Sequence, residues 1–181
     1  MTYFIETIDY SRDCGSCSMC CQGWLSGDVF EYKMHANNPC HFVDEGCSGG
    51  CCTIYEHRPE MCSNYKCAWL QQTVGFPLWM RPDKSKVIIT ERVIEDATAT
   101  EQFKYWQVRE CGEKIDSSVL NWIIRNSFHY NMNLQYEVGG HWDYMGSEKF
   151  VNFMTGGKSL SSNTITEHLY SKINKEEIDQ D

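Results

Sequence analysis

The chain has 181 residues, enough for one domain, and a formal net charge of −9 that argues against a nucleic-acid partner, because phosphate backbones attract basic surfaces. The first 13 residues lack the basic and apolar pattern of a signal peptide, and no apolar run approaches the roughly 20 residues that cross a bilayer. We therefore expect a cytoplasmic protein with no membrane partner.

Residues 10–70 form a cysteine-rich segment that contains ten of the eleven cysteines. After the first cysteine cluster, Ser26 is the expected N-cap of a helix over 26–36. An extended stretch over 53–59 leads into a short helix with Pro59 in its first turn. We expect these short elements to form an irregular lobe that metal organises.

From residue 71 the periodicity predicts two antiparallel strands, a helix, a third strand and one or two helical turns. In chain order these elements lie at 85–94, 103–109, 116–129, 131–138 and 147–154. Asp116 or Ser117 is the expected cap of the long helix.

The predicted fold class is α+β. The cysteine-rich, metal-organised lobe packs on a small antiparallel sheet with helices, and residues 71–154 belong to the same domain. Residues 155–181 are mostly polar and form the expected C-terminal tail.

The cysteine pattern argues against a secreted disulfide scaffold. Eleven is an odd number, and the vicinal pairs Cys20–Cys21 and Cys51–Cys52 cannot bridge within themselves without strain. In a reducing cytoplasm the thiols stay available for a soft metal ion or an iron–sulfur cluster. The sequence therefore indicates metal binding through sulfur.

The vicinal pair Cys20–Cys21 also carries geometric information. Neighbouring side chains point to opposite faces of an extended chain and diverge by about 100° in a helix. We therefore predict that the two sulfurs diverge and serve two nearby metal centres, or that one binds while the other packs as an apolar thiol. Two tetrahedral sites made only of thiolates need eight cysteines.

Three motifs follow one another within residues 14–67: CxxCxxCC from Cys14, C-H-F from Cys40, and C-T-I-Y-E-x-R-P-x-x-C from Cys52. Their combined spacing resembles the YkgJ-type cysteine-cluster family, a zinc- or iron-chelating domain. The resemblance implies eight metal ligands, which are Cys14, Cys17, Cys20, Cys21, Cys40, Cys52, Cys62 and Cys67.

The sequence departs from the family pattern in the middle of the segment. Val43 replaces the usual leucine, Ser63 stands where arginine is common, and Cys47 and Cys51 are extra. The extra cysteines leave the register of the middle ligands open. Cys111, in a late Cys-Gly pair found in some members, is a further candidate whose role stays open.

The leading hypothesis is a metal-binding protein in which thiolates hold zinc, with two ions that have a structural or partner-binding role. The alternative is an iron–sulfur cluster protein that acts as an oxidoreductase or as an enzyme related to the family members described as flagellin lysine methylases. The first three cysteines keep the spacing of bacterial ferredoxins without the following Cys-Pro, and the same spacers suit zinc. The sequence assigns no catalytic residue, so it does not decide whether the chain is an enzyme.

Five further side chains near the cysteines have ordinary interpretations. His41 and His57 could complete a metal site that lacks one thiolate. The simpler interpretation is that each lies at the surface or contacts a metal ligand without binding the metal. Arg58 sets a turn and is expected to donate hydrogen bonds to sulfur. Trp24 and Trp69 are expected to cover the cluster from water.

Overall fold

A computed structural model describes residues 12–35, 38–44, 51–95, 102–138 and 141–156, without the side chains of Cys51, Glu95 and Val138. The chain divides into two compact units, Met1–Met145 and Gly146–Asp181, each of which is described by itself. Most of the tail predicted at 155–181 lies outside the described residues.

The described part of the first unit contains two sheets of two short strands each, one sheet of four strands, and four α-helices. Its strands are β1 (Gly27–Val29), β2 (Tyr32–Met34), β3 (Val43–Asp44), β4 (Cys51–Cys52), β5 (Val87–Glu95), β6 (Gln102–Glu110), β7 (Asn133–Val138) and β8 (His141–Met145). Its helices are α1 (Glu60–Asn64), α2 (Ala68–Gln71), α3 (Pro82–Ser85) and α4 (Ser117–His129), with 3-10 turns at Met19–Cys21, Tyr55–His57 and Leu78–Met80.

A four-stranded sheet in the order β5-β6-β7-β8 is the main scaffold. The predicted antiparallel pairing of the first two strands is confirmed, with Ile89 opposite Val108. β6 and β7 are parallel, because α4 forms the crossover between them, and β8 returns antiparallel. The α+β class is thus confirmed, but the main sheet is mixed and not antiparallel throughout.

One face of the sheet, the apolar face, packs against α4. Trp106, Val108 and Leu134 alternate with polar residues on β6 and β7 and are fully buried. The Phe76 ring lies 5.3 Å from Trp106 and 5.5 Å from Trp122 on α4, so aromatic rings fill the space between sheet and helix.

The opposite face, the polar face, carries Ile88 and Arg92 on β5 and Gln107 and Arg109 on β6. Gln107 donates a hydrogen bond to Gln135 on β7 at 2.8 Å. This face turns towards the cysteines, as described below.

The predicted helix at 116–129 is confirmed, with Asp116 as its N-cap. The Asp116 carboxylate accepts a hydrogen bond from the Ser118 backbone N–H at 2.8 Å. Its buried residues recur every three or four positions and are Val119, Leu120, Ile123, Ile124 and Ser127.

The helix predicted at 26–36 is wrong, because the described part of this range forms the hairpin of β1 and β2. Phe30 adopts a left-handed backbone with φ of 54°, which reverses the chain and cannot continue a helix. The hairpin buries Val29 and Met34 side by side next to Cys40, and this shared burial outweighs the local helix signal.

The short helix after Pro59 is confirmed as α1, which begins at Glu60. A hydrogen bond between the Tyr65 hydroxyl and the Thr90 hydroxyl of β5, at 3.0 Å, then connects the cysteine-rich segment with the sheet. The Cys111 backbone N–H donates to the Lys86 carbonyl at 2.9 Å, which continues the pairing of β5 and β6 beyond their ends.

In the second unit, the helical turns predicted at 147–154 are confirmed as α5 (Glu148–Met154). Ser147 caps this helix by accepting a hydrogen bond from the Phe150 backbone N–H at 3.3 Å. Among the helices of the described chain, none has both the length and the apolar character needed to span a bilayer.

Candidate metal-binding site

A single cavity of about 560 Å³, here called the cysteine cavity, collects the sulfur ligands that the sequence predicts. All eight predicted cysteines line it: Cys14, Cys17, Cys20, Cys21, Cys40, Cys52, Cys62 and Cys67. They are free thiols, as is the buried Cys111. Cys47 and the side chain of Cys51 lie outside the described residues.

Four of these cysteines, the first quartet, are Cys14, Cys17, Cys20 and Cys67. The Cys17 backbone N–H donates to the Cys14 carbonyl at 2.8 Å, and Gly15 has the positive φ of 50° that this tight turn requires. Cys67 is the N-cap residue of α2. The electrostatic neighbours of the Cys67 sulfur are Cys14 and Cys17, so the late cysteine joins the opening cluster.

Apolar side chains pack around three cysteines of the first quartet. Cys17, Cys20 and Cys67 pack in one cluster with buried Met19 and Ile88. Trp24 and Cys111 belong to the same cluster. These three cysteines therefore pack on the sheet through Ile88.

The other four cysteines, the second quartet, are Cys21, Cys40, Cys52 and Cys62. The Cys40 backbone N–H donates to the Cys21 carbonyl at 2.8 Å, and Cys62 lies in α1. Cys21, Cys40 and Cys52 are the sulfur neighbours of Cys62. Cys21, Cys40 and Cys62 also share an apolar cluster with Val29 of the β1–β2 hairpin.

The vicinal sulfurs do not diverge, so the geometric premise of that prediction is wrong. The Sγ atoms of Cys20 and Cys21 are 3.6 Å apart at the end of a 3-10 turn. This is close to the edge of a zinc–thiolate tetrahedron, about 3.8 Å for Zn–S bonds of about 2.3 Å. The packing partners of each residue still place Cys20 in the first quartet and Cys21 in the second.

The vicinal pair titrates asymmetrically. The hydrogen bond from Cys20, helped by the positive charge of Arg58, lowers the pKa of Cys21. The same hydrogen bond, together with burial, raises the pKa of Cys20. Cys21 is therefore the thiol of this pair that ionises first.

Main-chain N–H groups point at several of the other sulfurs. Burial raises the pKa of Cys17, Cys40 and Cys67, the last to about 11. Backbone hydrogen bonds from Met19 to Cys17 and from Phe42 to Cys40 oppose this effect. Such N–H donors stabilise a thiolate once its proton has left.

Three arginines, here called the arginine wall, also line the cavity: Arg58, Arg92 and Arg109. The Arg58 Nε donates to the Tyr55 carbonyl at 2.9 Å, and its guanidinium lies 3.7 Å from the centre of the Tyr55 ring. Sequence reasoning placed Arg58 near the sulfurs but missed Arg92 and Arg109. The alternation of apolar and polar residues along β5 and β6 was the signal that could have found them.

The other candidate side chains have more ordinary positions. His41 stacks on Tyr32 with ring centres 3.8 Å apart, and neither His41 nor His57 is among the described residues that line the cavity. Trp24 packs with the first quartet, as predicted. Trp69 is buried nearby, where its Nε1 donates to the Pro77 carbonyl.

The eight thiols line the same cavity, but their sulfurs do not surround a common metal position. Across the described residues, no three side chains of Cys, His, Asp or Glu converge on one position that could hold a metal ion. Thiol sulfur is nonetheless the donor that zinc and iron–sulfur clusters use, so the chemistry of the donor set fits a soft metal. Binding would require the sulfurs of each quartet to move together.

The metal-free chain is expected to lose stability as the pH rises from about 9.0 to about 11, the ordinary and raised pKa values of Cys67. In this range the unfolded chain releases thiol protons that the folded chain retains, so the free energy of unfolding falls. Urea unfolding at neutral pH and at several pH values within this range measures how steeply the free energy of unfolding falls with pH.

Buried Cys111 gives a matched variant for this titration, because burial raises its pKa to about 12. Cys111→Ala should reduce the slope by up to about 1.4 kcal/mol per pH unit. A slope that the substitution leaves unchanged would contradict the assignment of this pH dependence to buried thiols.

The chain was compared with protein-family models, curated proteins and solved structures, and none of them matches it. The resemblance of residues 14–67 to the YkgJ-type family therefore stays a prediction.

Proposed function

We propose that the chain is a cytoplasmic metal-binding protein whose two cysteine quartets hold two zinc ions. The observation that carries this proposal is the collection of eight free thiols, distant in sequence, along one cavity. We divide them into two sets of four. A tetrahedral zinc site made of four thiolates needs one such set.

Electrostatics support the proposal. One zinc ion with four thiolates has a net charge of −2, so two such sites place about four negative charges in the cavity. The arginine wall supplies three positive charges against them. Buried charge is tolerated where opposite charges and hydrogen bonds accompany it.

The short elements of the cysteine-rich segment support a structural role for the metal. Its described strands and helices contain only two to five residues each. Elements of this length make few internal contacts and depend on tertiary ones. Metal ions that join them would stabilise the segment and any protein surface that it presents to a partner.

An iron–sulfur cluster is the second candidate, because Cys14, Cys17 and Cys20 keep the spacing of bacterial ferredoxin ligands and line the same cavity. In that case one quartet would hold the cluster through four thiolates, and the chain would act in electron transfer or in a methylase-related reaction.

Metal analysis of protein purified without oxygen separates the two candidates. The zinc proposal predicts a colourless protein with two zinc ions per chain, quantified against amino-acid analysis. A brown protein with about four irons and matching sulfide would replace it with the cluster. Cys111→Ser, which changes a thiol outside both quartets, should contain the same metal as the wild type.

A further inference from the structure

Every charged side chain among the described residues that line the cysteine cavity is an arginine of the arginine wall. The chain as a whole is acidic, with a formal net charge of −9. Asp83, a carboxylate near Cys17, is engaged at 2.6 Å by Arg81. The cavity that we assign to cations is thus positively charged in its lining, which repels a bare metal ion and attracts an anion.

The positive charges come from two sides of the cavity. Arg92 and Arg109 stand on the polar face of the sheet, where Arg109 pairs with Ile88 and Arg92 lies four residues further along β5. This separation is about 13 Å along the strand. Arg58 comes from the cysteine-rich segment, so guanidinium groups flank the sulfurs from the sheet and from the segment itself.

Contacts with aromatic rings hold two of the three guanidinium groups. Arg58 lies over Tyr55, and the Arg109 guanidinium is 5.1 Å from the centre of the Trp142 ring. Guanidinium groups bind carboxylate and phosphate oxygens through paired hydrogen bonds. A wall of this kind fits an oxyanion better than it fits a hydrated cation.

We propose that the arginine wall receives metal as an anionic chelate, in which a small molecule bearing carboxylates or phosphates carries the ion. The inference rests on the proposed metal function and names the class of donor for the same site. The arginines bind the oxyanions of the chelate while the metal is still attached to it. After the metal has moved to the sulfurs, the same arginines lie opposite the negatively charged thiolates of the filled site.

The transfer is a ligand exchange in which no electrons move. The bonds from zinc to the oxygens of the chelator break, and four Zn–S bonds form in one quartet. Four thiol protons leave to solvent or to the released chelator, so a site of charge −2 remains. This charge competes with the chelator for the arginines and promotes release of the chelator.

Stopped-flow zinc uptake by the metal-free full chain tests the proposal. Zinc citrate and zinc pyrophosphate serve as anionic donors, and zinc bound to a neutral polyamine serves as the cationic donor. Uptake from an anionic donor should slow as salt is added, whereas uptake from the polyamine should not. A response with citrate alone identifies carboxylates as the recognised group, and a response with pyrophosphate alone identifies phosphates.

The variant with Arg92→Gln and Arg109→Gln should take zinc from the anionic donors about tenfold more slowly, whereas its uptake rate from the polyamine should change much less. Arg92→Lys with Arg109→Lys keeps the charge and should retain most of the rate, which controls for folding. Arg125→Gln removes an exposed cation of α4 that does not line the cavity, and it should change nothing.

Equal rates in the wild type and the glutamine variant would overturn the proposal. So would an equal loss of rate with the anionic donors and with the polyamine, because the arginines would then act on the bound thiolates alone and not on the donor. A wild-type chain that holds no zinc at equilibrium from any donor would instead refute the proposed metal function itself, and with it this inference.

Discussion

Replacing one cysteine of each quartet should remove both metal ions, whereas replacing two cysteines of the same quartet should remove only one. Cys17→Ser and Cys62→Ser change different quartets, so each single variant is expected to retain one zinc per chain and the double variant none. Cys40→Ser combined with Cys62→Ser stays within the second quartet and should still retain one. Zinc per chain, measured against amino-acid analysis, distinguishes these outcomes.

The physical reason is the coordination number of zinc. A tetrahedral structural site uses four ligands, and serine oxygen is a poor substitute for thiolate sulfur. The two quartets pack in different apolar clusters, around Ile88 and around Val29, so damage to one should leave the other formed. Leu25 packs against both clusters, so the double variant Cys17→Ser with Cys62→Ser also measures the coupling between them.

The vicinal pair gives the most demanding version of this test. Cys20→Ser should empty the first site and Cys21→Ser the second, although their sulfurs are only 3.6 Å apart. Zinc content identifies the site that each variant loses: Cys20→Ser combined with Cys17→Ser should retain one zinc per chain, and Cys21→Ser combined with Cys17→Ser should retain none. If the two double variants retain the same zinc content, the two sulfurs share one ion and the division into quartets is wrong.

Removal of metal should expose the cysteine-rich segment to proteases while the sheet stays protected. Structural zinc contributes about 10–16 kcal/mol of apparent binding free energy in small zinc domains, and this energy opposes local opening. We expect cleavage between residues 12 and 71 to accelerate at least tenfold after chelation, with much less change across β5, β6 and α4. Limited proteolysis read by mass spectrometry gives both rates from one sample.

The reason for this difference lies in what each part uses for stability. The sheet has a close-packed core that includes Trp106, Ile123 and Leu134, all fully buried. The described part of the cysteine-rich segment packs on the sheet through a small apolar cluster around Ile88, and the Tyr65 hydroxyl lies 3.0 Å from the Thr90 hydroxyl of β5. Equal protection of both parts after complete metal removal, checked by metal analysis, would mean that metal contributes nothing to the segment.

Much of the sheet and α4 could be predicted because their signals are local. Alternating residues predicted β5 and β6, and an N-cap residue followed by a helical apolar pattern predicted α4. The parallel pairing of β7 could not be predicted, because strand order depends on how α4 crosses the sheet. The helix prediction at 26–36 failed because the N-cap signal at Ser26 stabilises a helix less than the burial of Val29 and Met34 beside Cys40 stabilises the hairpin.

The cysteine spacing predicted which thiols gather, and all eight line one cavity. It could not predict how they divide, because the partners of Cys67 are 50 or more residues away in sequence and are set by the docking of α2. The spacing argument also failed for Cys20 and Cys21. Their side chains meet through rotamers that no backbone periodicity specifies.

Arg109, which completes the far side of the cysteine cavity, has consequences for the order of synthesis. It follows Cys67 by 42 residues, so at about 5–20 residues per second a ribosome makes the last cysteine of the cavity roughly 2–8 s before this arginine. During that interval the thiols have no sheet to cover them. The nascent chain therefore passes through a period in which its thiols are open to oxidants before the sheet and the arginine are present to complete the cavity.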